Sequence, residues 1–203
     1  MTNKLLLATN NQGKVREYQR LLSDLPYEVC TLAEMGITTE VAETGASLEE
    51  NARLKATAYA SESRYLTLAD DSGLEVDTLG GEPGPLSARY AGEGASDAER
   101  IRYLLSLLEN VPREKRTARF RCVIAIAEPG GNVAVCSGEC RGLITFTTQG
   151  EFGFGYDPIF YLPEMEKTMA ELPLETKNKL SHRGKAARQA YEMLLERVRK
   201  LKI

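Results

Sequence analysis

Short apolar runs alternate with segments of helical periodicity along this chain, and that alternation restricts its fold more than any other feature. Leu5 to Thr9 reads as a strand, and Gly13 to Ser23 then carries apolar side chains at helical spacing through Val15, Tyr18, Leu21 and Leu22. Ser47-Leu-Glu-Glu50 and Ser96-Asp-Ala-Glu99 match the capping box, in which Ser and Glu satisfy amide groups left open at a helix start. They predict helices over about 47–62 and 96–110. Between Thr117 and Phe146 the β-branched and aromatic content rises around the turn cluster Glu128-Pro-Gly-Gly-Asn132, which reads as a hairpin continuing into a third strand. Ser181 caps a last helix running to about Leu201. Strands interleaved with helices favour an α/β fold with a mixed sheet over a helical bundle. Repeats, low-complexity tracts and linkers are absent from the sequence, so its 203 residues, 42% of them hydrophobic, read as one compact unit. The Pro/Gly-rich stretch Gly80 to Gly94 is a candidate active-site loop.

Composition then narrows the function classes. A formal charge of −3 gives no global attraction to a nucleic-acid polymer or an anionic membrane, so any polyanion site must be a local gathering of Lys and Arg. Cys30, Cys122, Cys136 and Cys140 have neither C-x-x-C spacing nor histidine partners, and read as reduced core residues. The apolar run in MTNKLLLATNN is shorter than a signal segment, and no stretch approaches about 20 apolar residues. A cytoplasmic protein is expected. His182 is the only histidine, which excludes a multi-histidine metal site, and neither G-x-S-x-G nor a Gly-rich dinucleotide fingerprint is present.

Two stretches carry candidate chemistry. Thr9-Asn-Asn-Gln-Gly-Lys14 lies between a strand and a helix, where Gly13 permits close backbone approach, the helix N-terminus is electropositive and Lys14 adds a cation. A phosphate fits there, although Ala8 and Val15 stand where a Walker A loop needs Gly and Ser or Thr. The second stretch is LTLADDSGL, residues 66–74, which places Asp70 and Asp71 side by side at the end of the expected strand. Two carboxylates about 4 Å apart repel by roughly 4 kcal/mol at an effective dielectric of 20. Either the pair is a solvated turn or a cation offsets the repulsion. Glu43, in Ala42-Glu-Thr-Gly45, precedes a helix carrying Asn51 and Lys55. A few converging carboxylates suit Mg²⁺, which prefers oxygen ligands and works with substrate phosphates.

Five segments, ATNNQGKVRE, ETGASLEENARLKA, ADDSGLEVDTLGGEPGPLSARYAGE, GFGYDPIF and KNKLSHRGKA, together resemble the inosine triphosphate pyrophosphatase family in order and spacing. The likeness runs from Ala8 to about Ala187. It implies an α/β fold with a long twisted mixed sheet, two lobes with a central substrate cleft within one domain, and usually a homodimer. It implies Mg²⁺-dependent hydrolysis of deaminated purine nucleoside triphosphates (ITP, dITP, XTP) to the monophosphate and pyrophosphate, which cleanses the nucleotide pool. Carried over by position, Asp71 matches the catalytic base and a metal-associated carboxylate, and Glu43 and Asp70 match its acidic supports for Mg²⁺. Lys14 and Lys55 match triphosphate contacts, and Thr9 and Asn10 match substrate-binding positions. Phe154, Gly155, Tyr156 and Asp157 match the segment that flanks the nucleobase, while Lys177, His182 and Arg183 match the tail that reaches base and phosphate. Ser72 and Arg89 match the site wall. A 6-oxo purine is expected over adenine, because the guanidinium of Arg183 donates hydrogen bonds and cannot accept them.

Two other functions are compatible with the same contacts: a nucleotide-binding regulatory module without hydrolysis, and a related pyrophosphatase with a pyrimidine preference. The acids argue against the first, since a pure triphosphate binder gains nothing from extra negative charge beside its ligand. Taken alone, Phe154 is an ordinary packed aromatic, Asp157-Pro158 an ordinary turn, and the Lys177 to Lys185 cations a solvated basic face.

Overall fold

The computed structural model describes residues 3–201. In chain order the elements are β1 (Asn3–Leu7), α1 (Gln12–Leu21), β2 (Tyr27–Thr31), α2 (Leu48–Ser63), β3 (Leu66–Val76), α3 (Asp97–Leu107), β4 (Thr117–Ala127), β5 (Val133–Ile144), β6 (Phe160–Leu162), β7 (Lys167–Thr168), α4 (Leu174–Leu180) and α5 (His182–Leu201). All seven strands share one open sheet in the order β2-β1-β3-β4-β5-β6-β7. The sheet is mixed: β1 runs parallel to β2 and β3, and β6 runs antiparallel to β5 and β7. The expected α/β class with helices flanking a mixed sheet is borne out.

The described chain divides into two compact units, one of residues 3–71, 122–138 and 183–201 and the other of 72–121 and 139–182. In the first unit the sheet is covered on both faces. Leu5, Leu7, Leu66, Leu68, Cys122, Ile124 and Ile126 pack with Val15 and Tyr18 of α1, with Leu22 just after it, and with Ala186, Ala190 and Leu194 of α5. Leu6, Ala8, Ala69, Val123, Ala125 and Ala127 pack on the opposite side with Leu48, Ala52, Ala56 and Ala60 of α2. This period-two division explains why these strands read as continuous apolar runs: both faces are buried. In the second unit, Ile101, Leu104 and Leu108 pack with Leu74, Phe120, Ile144, Tyr156, Phe160 and Met169.

Helix starts follow their local signals. Asn11 caps α1 by accepting from the Lys14 N–H, and Ser47 caps α2 by accepting from Glu50 N–H, while Glu50 reaches back to Ala46 N–H rather than to its cap. Ser96 and Glu99 form the full reciprocal box at α3.

Two expectations are corrected. The strand carrying the two acids does not end at them but runs eleven residues to Val76. The segment after the Glu128 turn is one unbroken strand, β5, because its far end continues the ladder by pairing Leu143 and Ile144 with β6. The edge strand β2, with Cys30 its only buried residue, and the seven-residue α4, which starts without a side-chain cap, were not foreseen. The four cysteines are buried, unlinked thiols. Among the described residues no helix is long and apolar enough to cross a membrane.

Candidate active site

Asp70 and Asp71 sit in the middle of β3, and successive strand side chains point to opposite faces. The repulsion expected of neighbouring carboxylates is thereby relieved, and each acid has its own partners. Asp70, 1% exposed, meets Lys14 of α1 through Oδ1 at 3.0 Å and the Arg183 Nε of α5 through Oδ2 at 3.2 Å. Cys122 Sγ lies 3.7 Å from the same Oδ2. Burial alone would push the Asp70 carboxyl up, but Lys14, Arg183 and Lys55 more than offset it and hold it well below the usual carboxylate range. Arg183 also donates to Glu17 Oε2 at 2.7 Å, so a buried acid of α1 completes this side. Burial would lower the Arg183 pKa, yet Glu17 and Asp70 raise it well above its ordinary value.

On the other face, Asp71 Oδ1 lies 3.2 Å from Lys55 Nζ and Oδ2 accepts from Asn51 Nδ2 at 3.2 Å, both from α2. Lys55 donates also to Glu43 Oε1 at 2.5 Å and to the Asp70 carbonyl at 2.8 Å. Burial pushes the Asp71 carboxyl up; Lys55 and Lys14 pull it back, Glu43 and Asp70 push further, and the net direction is upward. For Lys55 the burial that lowers its pKa is outweighed by Asp71, Glu43 and Asp70, so the ammonium is held charged. Asn51 is in turn fixed by its Oδ1, which accepts the Gly45 N–H at 2.8 Å. Only glycine fits there: a Cβ on Gly45 would lie 2.6 Å from Glu50 Cβ and 2.7 Å from Asn51 Oδ1.

Among the described residues no group of three or more His, Cys, Asp or Glu converges as a metal cage. Two carboxylates do converge: Glu43 and Asp71 face one cationic point, now filled by the Lys55 ammonium. Hard oxygen donors in that number fit Mg²⁺, which is held by one or two carboxylates together with substrate phosphates. The charge balance agrees. Glu17, Glu43, Asp70 and Asp71 against Lys14, Lys55 and Arg183 leave one formal negative charge on these seven side chains, which disfavours a polyphosphate until a divalent cation is added.

Near Lys14, Thr9 Oγ1 accepts from Asn11 N–H at 3.2 Å, and Asn10 is exposed beside it. In the second unit, Asp157 Oδ2 accepts from both Phe154 N–H at 2.9 Å and Lys177 Nζ at 2.5 Å. Lys177 Nζ also stands 4.7 Å from the centroid of the Phe154 ring. Gly153, at φ +78°, allows the tight turn, since a Cβ there would lie 2.1 Å from Asp157 Oδ2. Tyr156 is buried and donates to the Ser87 carbonyl at 3.0 Å. His182 stacks on Phe120 at 4.6 Å between centroids. Ser72 lies half-buried in β3, and Arg89 half-buried at the end of a short 3-10 turn, Gly84–Arg89.

The structure therefore brings together Lys14, Asp70 and Arg183 in one group, Glu43, Lys55 and Asp71 in a second, and Phe154, Asp157 and Lys177 in a third. Arg183, expected at the base and the phosphate, is engaged with Asp70 and Glu17. Glu17 was not singled out by sequence reasoning, because its partner lies 166 positions away and its own spacing is that of any helical acid.

The Ham1 family model matches residues 5–193. A dITP/XTP pyrophosphatase of Desulforamulus reducens is 54% identical over 191 residues, 94% of this chain and 95% of that protein. One of Bacillus subtilis is 47% identical over 189 residues, 93% and 96% of the two chains. The solved structure of a HAM1 protein from Coxiella burnetii superposes with a TM-score of 0.87 at 41% identity, covering 96% of this chain and 99% of the other. The Staphylococcus aureus Ham1 protein gives 0.85 at 43% identity, covering 96% and 100%.

Proposed function

This chain belongs to the Ham1 family, and from that premise we propose that it hydrolyses deaminated purine nucleoside triphosphates, such as dITP, ITP and XTP, to the nucleoside monophosphate and pyrophosphate. The observation that carries the chemistry is the Asp71 arrangement: a buried carboxylate with a raised pKa, oriented by Asn51 and Lys55 and facing the same cationic point as Glu43. Such a group is suited to accept a proton at neutral pH.

In this reading Asp71 takes a proton from the water that attacks the α-phosphorus. A bond forms between the water oxygen and that phosphorus, the bond from it to the bridging oxygen breaks, and the electron pair leaves with pyrophosphate. Each Asp71 oxygen has two lone pairs, so its bonds from Asn51 and Lys55 leave acceptor capacity for the water. Lys14 and Lys55 neutralise phosphate oxygens. Glu43 and Asp71 would hold Mg²⁺, which when bound supplies further neutralisation of the triphosphate and its leaving group. Asp70 and Glu17 hold Arg183, and Asp70 also holds Lys14, so we assign Asp70 to fixing the cations rather than to the metal. Phe154, beside the Lys177–Asp157 pair, takes the nucleobase. The homodimer carried by the family resemblance is tested by light scattering.

A substrate panel with Mg²⁺, containing ITP, dITP, XTP, GTP, ATP and a pyrimidine triphosphate, tests the reading. Pyrophosphate from the inosine and xanthosine substrates, well ahead of ATP, is the expected result. A site built around a buried hydrogen bond rejects the wrong partner by about 10⁴-fold. Orthophosphate with a nucleoside diphosphate, or equal kcat/KM for ITP and ATP, refutes it.

A further inference from the structure

The GFGYDP loop is held by two carboxylates, and only one of them lies inside it. Asp157 accepts the Phe154 N–H through Oδ2 at 2.9 Å, and the next amide, that of Gly155, donates to Asp97 Oδ2 at 2.6 Å. Asp97 is the first residue of α3, just outside the segments that carry the family resemblance. The peptide planes on either side of Phe154 are therefore each fixed by a separate carboxylate. Because a side chain's direction follows from its backbone and rotamer, these two bonds set where the Phe154 ring stands.

Asp97 is itself anchored. Arg100 donates to its other oxygen, Oδ1, and also to the carbonyls of Ala88 at 2.7 Å and Ala95 at 2.6 Å. Its carboxylate is not needed to start the helix, since Ser96 and Glu99 supply the complete capping box. A bond to a charged acceptor is stronger than a neutral one and holds its donor more tightly.

We infer that Asp97 is a positioning residue for nucleobase recognition: through the Gly155 amide it fixes the Phe154 platform, and so acts on base affinity and not on phosphate chemistry. This rests on the proposed function of the loop. The test compares wild type, Asp97→Ala and Asp97→Asn for pyrophosphate release from ITP, and for inhibition by inorganic tripolyphosphate, which has no base. In Asp97→Ala the KM for ITP should rise roughly ten- to hundredfold, the range set by loss of one charge-assisted hydrogen bond. Its kcat should change far less, and inhibition by tripolyphosphate should be unchanged. Asp97→Asn keeps one oxygen for the Gly155 N–H but turns its NH₂ toward Arg100, which cannot accept, so its KM should fall between those of wild type and Asp97→Ala.

An unchanged KM in Asp97→Ala overturns the assignment, as does parallel weakening of tripolyphosphate, which marks a general loosening of the fold. So does an Asn variant as impaired as the Ala one. If the alanine chain fails to fold, Asp97→Ser, whose hydroxyl is one bond too short to reach Gly155, is held to the same outcomes. Wild type that releases no pyrophosphate from ITP refutes the proposed function and this inference with it, whereas an active wild type with an unaffected Asp97→Ala refutes the inference alone.

Discussion

Replacing Asp71 by asparagine should nearly abolish turnover while leaving the protein folded. An amide does not accept the water's proton, and a positioned general base contributes about 10²–10⁴-fold, which is roughly 3–5 kcal/mol of barrier. The structural loss is smaller. Asn51 and Lys55 both donate to Asp71, and Asn51 is not free to turn over because its oxygen holds the Gly45 amide. The new amide must therefore offer its oxygen to Asn51 and its NH₂ toward Lys55, which keeps Glu43 and the Asp70 carbonyl as acceptors. One poor donor pairing of about 1–2 kcal/mol results, partly offset because a buried charge has been removed. In a chain of this size that shifts Tm by about 2–8 °C at most.

The assay is pyrophosphate release from ITP under single-turnover conditions across pH, beside thermal melts. In wild type kcat/KM should rise with pH through an acid limb, because the proposed base acts only when ionised. In the protein without metal, burial raises the Asp71 carboxyl. In metal-free protein the same raised pKa means that protonation of Asp71 favours the fold, so its contribution is present at low pH and is lost as pH rises through the folded value. The Asn variant should lose the acid limb. Retention of more than about a tenth of the wild-type rate, far outside the range for a general base, refutes the role.

Lys177→Met strands Asp157 in a site where both side chains are at most 4% exposed, so stability should fall by about 3–5 kcal/mol in urea titration, and adding Asp157→Asn should recover much of it. Strictly additive losses would show that the pair is not coupled. Arg183→Gln removes the shared partner of Glu17 and Asp70 and should destabilise by a similar amount, about 3–5 kcal/mol. Because the folded Asp70 pKa is depressed, wild type's advantage should be full above the ordinary carboxylate pKa and should shrink as pH falls below it; an advantage constant with pH refutes the account. Gly45→Ala pushes a methyl into Asn51 and Glu50, so it should cost about 1–3 kcal/mol and lower kcat through Asp71. A kcat equal to wild type would detach Asn51 from the chemistry.

Legibility in the sequence followed the range of the interactions. The starts of α2 and α3 were readable because Ser47 and Ser96 act on amides three positions away. The edge strand β2 offers a single buried side chain, and α4 follows Pro173 without a capping side chain, so neither leaves a local pattern strong enough to read. Phe154, Asp157 and Lys177 were named through the family resemblance, and the structure shows the bonds that join them. Asp97 went unnoticed for a different reason: it stands beside a capping serine, where an acid is unremarkable, and its bond to Gly155 spans 58 positions.

The doubled acid of β3 shows how a local reading fails and what replaces it. In a linear view two adjacent carboxylates repel, and the strand is expected to end where the charge begins. In a strand they diverge to opposite faces, so one pair of residues serves two separate sets of partners. Asp70, bound to Lys14 of α1 and Arg183 of α5, is held ionised by cations. Asp71, bound to Asn51 and Lys55 of α2, keeps a raised affinity for protons. The strand can run on to Val76 because both charges are met within the fold, and the shifts are opposite because burial raises both carboxyls but the cations outweigh it only at Asp70, while Glu43 and Asp70 add to it at Asp71. A pair with opposite shifts can divide labour as two equal carboxylates cannot: in the proposed reaction one would fix cations for the phosphates, and the other would take the proton.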